Sequence, residues 1–311
     1  MRRVAPTQAF PLRAGKCPIA LDSNLRGQTN ISEPTMLNDK HLSFEFFPPR
    51  TQDGAANLAT VIEQLNQFEP DLYTVTFGAG GSTREKTLET VLATKQITGR
   101  PVAAHISCID STQENIKTLC EQYLKNDIKH LVCLRGDVPS GMVDIGEMKH
   151  ANELVEFIRN EFGDAFEIAV AAYPEIHPQA KSPEHDLAYL KHKREAGADY
   201  AFTQYFFNPD AYFYLQDQCD DVEIDMPIVP GIMPITNYKQ LARFSDICGA
   251  EIPRWIRTRL EKFGEADTES LIDFGHDVTM RLCETLLSGG APGLHIYTMN
   301  KFDATAKLVQ A

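Results

Sequence analysis

The stretch HLSFEFFPPRTQDGAANLATVIEQLNQFEPDLYTVTF, residues 41–77, decides the fold. Leu42–Phe46 and Leu72–Phe77 are short apolar segments rich in aromatic and β-branched residues, the composition of strands. Ala55–Phe68 between them carries a helical pattern. A strand, a helix and a second strand in so short a span make one βαβ unit.

The same unit recurs along the chain. Further strands are expected at Val102–Ser107, His130–Leu134, Ile168–Tyr173, Ala201–Phe206, Ile228–Ile232 and Leu294–Thr298. The first seven strands begin roughly 27–38 residues apart, the length of one strand, one helix and their loops. Helical patterns fill the gaps at Arg84–Thr98, Thr112–Asn126, Ala151–Phe162, Pro183–Ala196 and Pro209–Cys219. Ser182-Pro183 and Asn208-Pro209 each place a capping side chain before a proline at the first helical position. Gly99, Gly163 and Gly197 stand where helices should end. The last interval is longer and contains two helical patterns, near Pro253–Lys262 and Thr268–Ser288. Eight βα units in about 270 residues match a single-domain (β/α)8 TIM barrel. The competing fold is a doubly wound open sheet, but no GxGxxG turn and no GxxxxGK[ST] loop follows any strand. Residues 41–311 are therefore expected to form one barrel domain, preceded by a mobile arm over residues 1–40.

Composition narrows the partners. Thirty Lys+Arg against 43 Asp+Glu give a formal net charge of −13, which argues against nucleic acid as a partner. No apolar run approaches the ~20 residues needed to cross a bilayer, so no membrane association is expected. The seven cysteines show no CxxC pair and no short zinc spacing, and most lie in apolar stretches. They read as reduced, buried thiols of a cytoplasmic protein, with no metal site. Met1 to Gly27 carries Arg2, Arg3, Arg13, Lys16 and Arg26 against the single acid Asp22. Arg-rich, acid-poor composition is that of a mitochondrial presequence, but Pro6, Pro11 and Pro18 interrupt any long amphipathic helix there.

In a TIM barrel the chemistry sits where the strands end. Glu45, between Phe44 and Phe46, is the most informative residue there. An apolar setting disfavours the carboxylate, so this group is expected to hold a proton near neutral pH and to act as a general acid. The alternative is a structural ion pair with Arg50 or Arg135. Other strand ends deliver Thr76, His105, Arg135-Gly136-Asp137, Tyr173 with His177, Gln204, and Tyr297 through Asn300. Taken singly, Arg-Gly-Asp is more often a turn, and a lone histidine is more often a core residue. Lys181, Asp186 and Lys193 read either as a solvated helix face or as the start of a helix that holds a phosphate. Phe206, Phe207 and Phe244 fit a plain core or a stacking surface for a planar ligand.

Seven ordered segments carry a family resemblance. They are Ser-Phe-Glu-Phe-Phe-Pro-Pro-Arg at 43–50, Val-Thr-Phe-Gly-Ala at 75–79, His-Ile-Ser-Cys-Ile-Asp at 105–110 and Leu-Arg-Gly-Asp at 134–137. Ala-Ala-Tyr-Pro-Glu-Ile-His-Pro at 171–178, Thr-Gln-Tyr-Phe-Phe at 203–207 and Pro-Gly-Ile-Met-Pro at 230–234 follow. As a set they resemble methylenetetrahydrofolate reductase of the short, bacterial type, over about residues 40 to 305. The resemblance implies a cytoplasmic, homo-oligomeric flavoenzyme of one-carbon metabolism that acts on a CH–NH bond. It would use FAD and NADH or NADPH in a ping-pong reaction. Its substrate would be 5,10-methylenetetrahydrofolate and its product 5-methyltetrahydrofolate, which supplies methyl groups for methionine synthesis.

The resemblance also implies roles. Glu45 corresponds to the acid that protonates N10 of the folate, and Asp137 to a carboxylate near flavin and pterin. Gln204 corresponds to an amide shared by folate and nicotinamide, and Thr76 to a nicotinamide neighbour. Flavin contacts carry over to Phe77, Ala79, His105, Arg135, Gly136, Asp137 and Ala151. Further along they carry over to Tyr173, His177, Ala180, Asp186, Tyr189, His192 and Lys193. Gln240 and Phe244 match folate and nucleotide contacts, and Lys301 a folate contact. Four positions depart from the family pattern: Phe77 replaces a common tyrosine, Tyr189 an asparagine, His192 an arginine and Lys301 an arginine. Two other readings remain open. One is a different FAD-dependent barrel oxidoreductase, akin to proline dehydrogenase; the other is a barrel that binds folate or flavin without turnover.

Overall fold

The computed structural model describes residue 37 and residues 40–77, 82–109, 111–136, 146–263 and 267–310. The expected arm, residues 1–40, lies outside these apart from Leu37 and Lys40. The chain runs β1 (His41–Phe46), α1 (Gln52–Leu65), β2 (Leu72–Val75), α2 (Ser82–Thr98), β3 (Val102–Ser107), α3 (Gln113–Lys125) and β4 (His130–Leu134). It continues through α4 (Ala151–Phe162), β5 (Glu167–Ala172), α5 (Pro183–Glu195), β6 (Tyr200–Thr203) and α6 (Pro209–Asp221). The last third holds β7 (Ile228–Val229), β8 (Gly231–Ile232), α7 (Tyr238–Cys248), α8 (Arg254–Phe263), α9 (Thr268–Ser288), β9 (Gly293–Tyr297) and α10 (Asp303–Val309).

Period-two alternation sorts each strand into an inner and an outer row. Leu72, Ala103, Val132, Ala169, Tyr200, Phe202 and Val229 form a cluster of their own inside the ring. Their neighbours Tyr73, Ala104, Leu131, Cys133, Ile168, Val170 and Ala201 belong to the larger core beneath the helices. Each large apolar side chain fully buried in this way contributes roughly 1.5–3 kcal/mol. The predicted helix starts hold: Ser182 Oγ accepts from His185 N at 3.3 Å and Asn208 Oδ1 from Asp210 N at 3.1 Å. Both are followed by proline in the first turn.

All the strand pairs are parallel, in the order β7-β6-β5-β4-β3-β2-β1-β9-β8. The seventh strand was expected to be continuous over Ile228–Ile232; it is broken at Pro230, which has no N–H to give to a ladder. Its first half pairs with β6 and its second half with β9, so the interrupted strand joins the two edges. Pro230 O still accepts from His295 N at 3.0 Å. Gly231 makes the closure possible. A Cβ there would lie 2.2 Å from Thr203 O and 2.7 Å from the Tyr297 ring. Tyr297 crosses above it from β9 to give its hydroxyl proton to Thr203 O at 2.7 Å.

The interval between β8 and β9 holds three helices where two were expected. α7 packs through Leu241 into a second cluster with Tyr205, Ile235, Ile256, Leu260 and Leu271. This places α7 over one side of the barrel mouth. β2 and β6 stop at Val75 and Thr203, short of the expected Phe77 and Phe206, so Thr76, Phe77 and Gln204 stand on the turns that leave the sheet. Of the cysteines, Cys108, Cys120, Cys133, Cys219 and Cys283 are free and buried and Cys248 is free and half-buried; Cys17 lies outside the described residues.

Candidate active site

Glu45 reaches the upper end of the barrel from the inner row of β1. The β1–β9 register sets Ser43 opposite His295 and Glu45 opposite Tyr297. Glu45 Oε2 lies 3.2 Å from His295 Nε2 and 3.3 Å from His105 Nε2, and Thr74 Oγ1 donates to it at 3.5 Å. His295 Nδ1 lies 2.8 Å from Ser43 Oγ, and its ring stacks on Phe202 with centroids 3.9 Å apart. Four strands and a stacking contact therefore fix one carboxylate against two imidazoles.

The electrostatics differ from the expectation for this residue. Burial alone pushes the Glu45 carboxyl up, as its apolar flanks suggested. The charges and hydrogen bonds of His105 and His295 outweigh burial and hold it at about 2. In the ligand-free site Glu45 is thus a carboxylate rather than a resident acid. Burial lowers His295, with Glu45 opposing. Neutral His295, accepting from Ser43 at Nδ1, presents its Nε2–H to the carboxylate.

Above this cluster is a cavity of about 390 Å³, lined by Glu45, Thr76, Phe77, His105, Tyr173, Gln204, Phe244 and Tyr297 among others. It opens into a larger groove of about 1050 Å³. Phe77, Leu134, Ala171, Tyr173, Gln204 and Cys248 line both, so the two make one cleft. The groove collects the expected residues Arg135, Gly136, Ala151, His177, Ala180, Asp186, Tyr189 and Lys193. Asp137 and Ala79 lie outside the described residues. Gln240, Lys301 and His192 are exposed and line neither cavity. The His192 ring instead meets Tyr189 edge-on, with centroids 5.8 Å apart.

The groove walls are tightly tied. Gly136 adopts φ +87°, and a Cβ there would come within 2.0 Å of Ser107 Oγ. Arg135 donates from Nη2 to Gln179 Oε1, while Ser107 Oγ donates to Arg135 O at 2.8 Å. Lys193 donates to Ala171 O at 2.6 Å; burial, partly opposed by Asp186, lowers it to about 8. Asp186 Oδ2 accepts from His177 N at 2.8 Å. No side chain caps the N-terminus of α4, which opens onto the groove at Ala151 and Asn152. At the outer end Tyr189 stacks on His150 at 4.8 Å, with its hydroxyl 3.1 Å from His150 Nε2.

Sequence reading missed His295, Ser43 and Thr74. The signal for His295 is its spacing of two from Tyr297 on one strand, which puts both on the inner row. Among the described residues no group of three His, Cys, Asp or Glu is placed to hold a metal, and no helix is long and apolar enough to cross a membrane.

A parallel (β/α)8 barrel with a carboxylate–imidazole cluster and a two-part cleft at the C-terminal strand ends has the layout of a barrel enzyme. A family model described as methylenetetrahydrofolate reductase matches residues 31–311, and the chain belongs to that family. It is 38% identical over 281 residues to the 5,10-methylenetetrahydrofolate reductase of Pectobacterium carotovorum subsp. carotovorum, covering 90% of this chain and 92% of the relative. It is 39% identical over 277 residues to that of Escherichia coli (strain K12), covering 89% and 92%. "Methylenetetrahydrofolate reductase (NADH) 1" of Arabidopsis thaliana is 38% identical over 283 residues, 87% of this chain and 48% of the plant protein. A solved structure from Clostridium thermocellum, described as binding two copies of 5-methyl-5,6,7,8-tetrahydrofolic acid, superposes with a TM-score of 0.62. At 17% identity, covering 88% of this chain and 96% of that one, it shows the shared fold.

Proposed function

We propose that this protein reduces 5,10-methylenetetrahydrofolate to 5-methyltetrahydrofolate with electrons from NADH or NADPH, through FAD bound in the groove. The groove's own chemistry fits such a cofactor. Phe77 and Tyr173 offer aromatic surface at its inner end, beside the cavity that holds Glu45. Arg135, Lys181 and the uncapped N-terminus of α4 supply positive potential midway, where a diphosphate needs it. The close contact of Gly136 with Ser107 leaves backbone as the wall there. These local cations work against a chain-wide charge of −13.

Bound in that groove, FAD supplies a hydride acceptor and donor between nicotinamide and folate. The protein supplies orientation and a proton. Opening the five-membered folate ring leaves an iminium carbon and needs a proton at N10. Glu45 is the donor, held beside His105 and His295. A ligand that covers the cavity excludes water and so favours the neutral acid over the carboxylate. Gln204 lines both parts of the cleft and orients both ligands. Asp137 adds a carboxylate near flavin and pterin.

A cavity of about 390 Å³ takes nicotinamide and pterin in turn, which makes the kinetics ping-pong. The product serves methyl transfer for methionine synthesis, in a cytoplasmic homo-oligomer. The observation that carries the reading is Glu45, fixed between two imidazoles at the floor of the cleft. The test is colour. The purified protein takes up FAD, is yellow, and bleaches on anaerobic addition of NADH or NADPH. A colourless chain that takes up no FAD contradicts the proposal.

A further inference from the structure

Below Glu45 the inner row of β1 continues to Ser43 and His41, and the polar groups at that depth lack partners. His41 is 5% exposed, and neither of its ring nitrogens makes a hydrogen bond. Asp71 Oδ2 is 3.8 Å from Nδ1, beyond bonding distance, and accepts instead from Leu42 N at 2.9 Å. Tyr200 is 1% exposed with an unpartnered hydroxyl. His130 Nδ1 is unpartnered too, 3.6 Å from Glu167 Oε2. His130 and Tyr200 share the inner face with Val132 and Phe202 by strand alternation. Nature rarely leaves such groups unsatisfied; buried polar atoms without a protein partner are met by ordered water.

The groups above are already joined. Ser43 Oγ lies 2.8 Å from His295 Nδ1, and His295 Nε2 lies 3.2 Å from Glu45 Oε2. A proton reaching Ser43 Oγ from below can release the hydroxyl proton to Nδ1 while the Nε2–H passes to Glu45. Each intervening atom gains one proton and gives one up, and Glu45 ends as the acid. Such a supply matters because Glu45 meets solvent through the upper cavity, which a bound ligand covers.

We propose that water held by His41, Tyr200 and His130 completes a proton path along the barrel axis, from the lower rim to Ser43, His295 and Glu45. The path recharges Glu45 while the upper cavity is filled. Its lower entrances are the partly exposed pair His130–Glu167 and the partly exposed Asp71 beside buried His41. Burial keeps His41 neutral, at about 3, so it can accept at one nitrogen while donating from the other. The proposal rests on Glu45 as the proton donor to folate.

The test uses the full chain loaded with FAD, as wild type and as His41→Leu, Tyr200→Phe and Glu45→Gln variants. Oxidation of the reduced enzyme by methylenetetrahydrofolate is followed by stopped flow in H2O and D2O. High-resolution crystallography of the wild type locates water. We expect ordered water bonded to His41 and to the Tyr200 hydroxyl. We also expect each lower-barrel variant to slow the folate half-reaction at least fivefold at saturating folate. Its solvent isotope effect should rise while reduction by the nicotinamide nucleotide is unchanged. Tyr200→Phe keeps the ring packing and decides the matter if His41→Leu folds poorly. A dry lower barrel overturns the path. So does a folded Tyr200→Phe variant with the wild-type rate and isotope effect, whether or not water is seen. If Glu45→Gln alone abolishes the folate half-reaction, the path fails and the acid stands. If Glu45→Gln leaves it intact, the acid assignment itself fails.

Discussion

His295 Nε2 stands 3.2 Å from Glu45 Oε2, while His105 Nε2 stands 3.3 Å from the same oxygen. One carboxylate oxygen thus answers to two imidazoles. The folded-state value of about 2 lies below the usual 4.5, so Glu45 adds stability that is complete above pH 4.5 and is lost as the pH falls toward 2. Between pH 5 and pH 3 the wild type should lose about 2 kcal/mol that Glu45→Gln does not lose. Urea unfolding at the two pH values measures the difference. Equal losses in both proteins would contradict the electrostatic account.

His41 acts in the same direction at higher pH. Its folded value of about 3 lies below the ordinary 6.5, so the unfolded chain binds the proton first as the solution is acidified. Its stabilising effect is complete above pH 6.5 and falls away toward pH 3. From pH 7 to pH 5 this should cost the wild type about 2 kcal/mol that His41→Leu is spared. Denaturant titrations at pH 7 and pH 5 compare them, and parallel losses would contradict the depressed value for His41.

Gly231 holds the barrel closed where β8 meets β9. Gly231→Ala drives a methyl group to 2.2 Å from Thr203 O and 2.7 Å from the Tyr297 ring. Overpacking of this kind costs about 1–3 kcal/mol or more, because backbone must move. The melting temperature should fall by at least about 2 °C. An unchanged melting temperature would show that the closure is looser than the distances imply.

Tyr189 closes the outer end of the groove through its stack on His150. In Tyr189→Ala both the stack and the contact of its hydroxyl with His150 Nε2 at 3.1 Å are lost. Affinity for FAD should drop about tenfold, the value of one aromatic contact of about 1.4 kcal/mol. Affinity for FMN, which lacks the adenosine half, should not change. Fluorescence titration of the apoprotein with both flavins separates the cases; an equal loss for both would place the effect at the inner end.

Much of the scaffold was legible because its signals are local. β3, β4, α4 and α9 begin and end where composition, proline and glycine put them. α7 escaped notice because its buried stripe runs through Leu241 and Ser245, and a hydroxyl at a core position weakens the periodic signal. Ser245 is accommodated by a bond with Tyr205 Oη at 3.0 Å, which depends on a residue 40 positions away. The break at Pro230 was visible as a residue, but its role in closing the barrel needs both neighbouring strands. Glu45 stood out by its apolar flanks, and the same flanks misled on its charge. His295, which reverses that charge preference together with His105, is separated from Glu45 by 250 positions. It is brought alongside by the β1–β9 pairing.

The central claim is that Glu45 gives its proton to the folate and takes no part in reduction by the nicotinamide nucleotide. Glu45→Gln keeps the shape and removes the acid, so the two half-reactions, measured separately by anaerobic stopped flow, test it directly. Reduction by NADH or NADPH should stay within about threefold of wild type. Reoxidation by methylenetetrahydrofolate should slow by about 10²–10⁴, the range for loss of a general acid. A variant that carries out both half-reactions at wild-type rates would contradict the account.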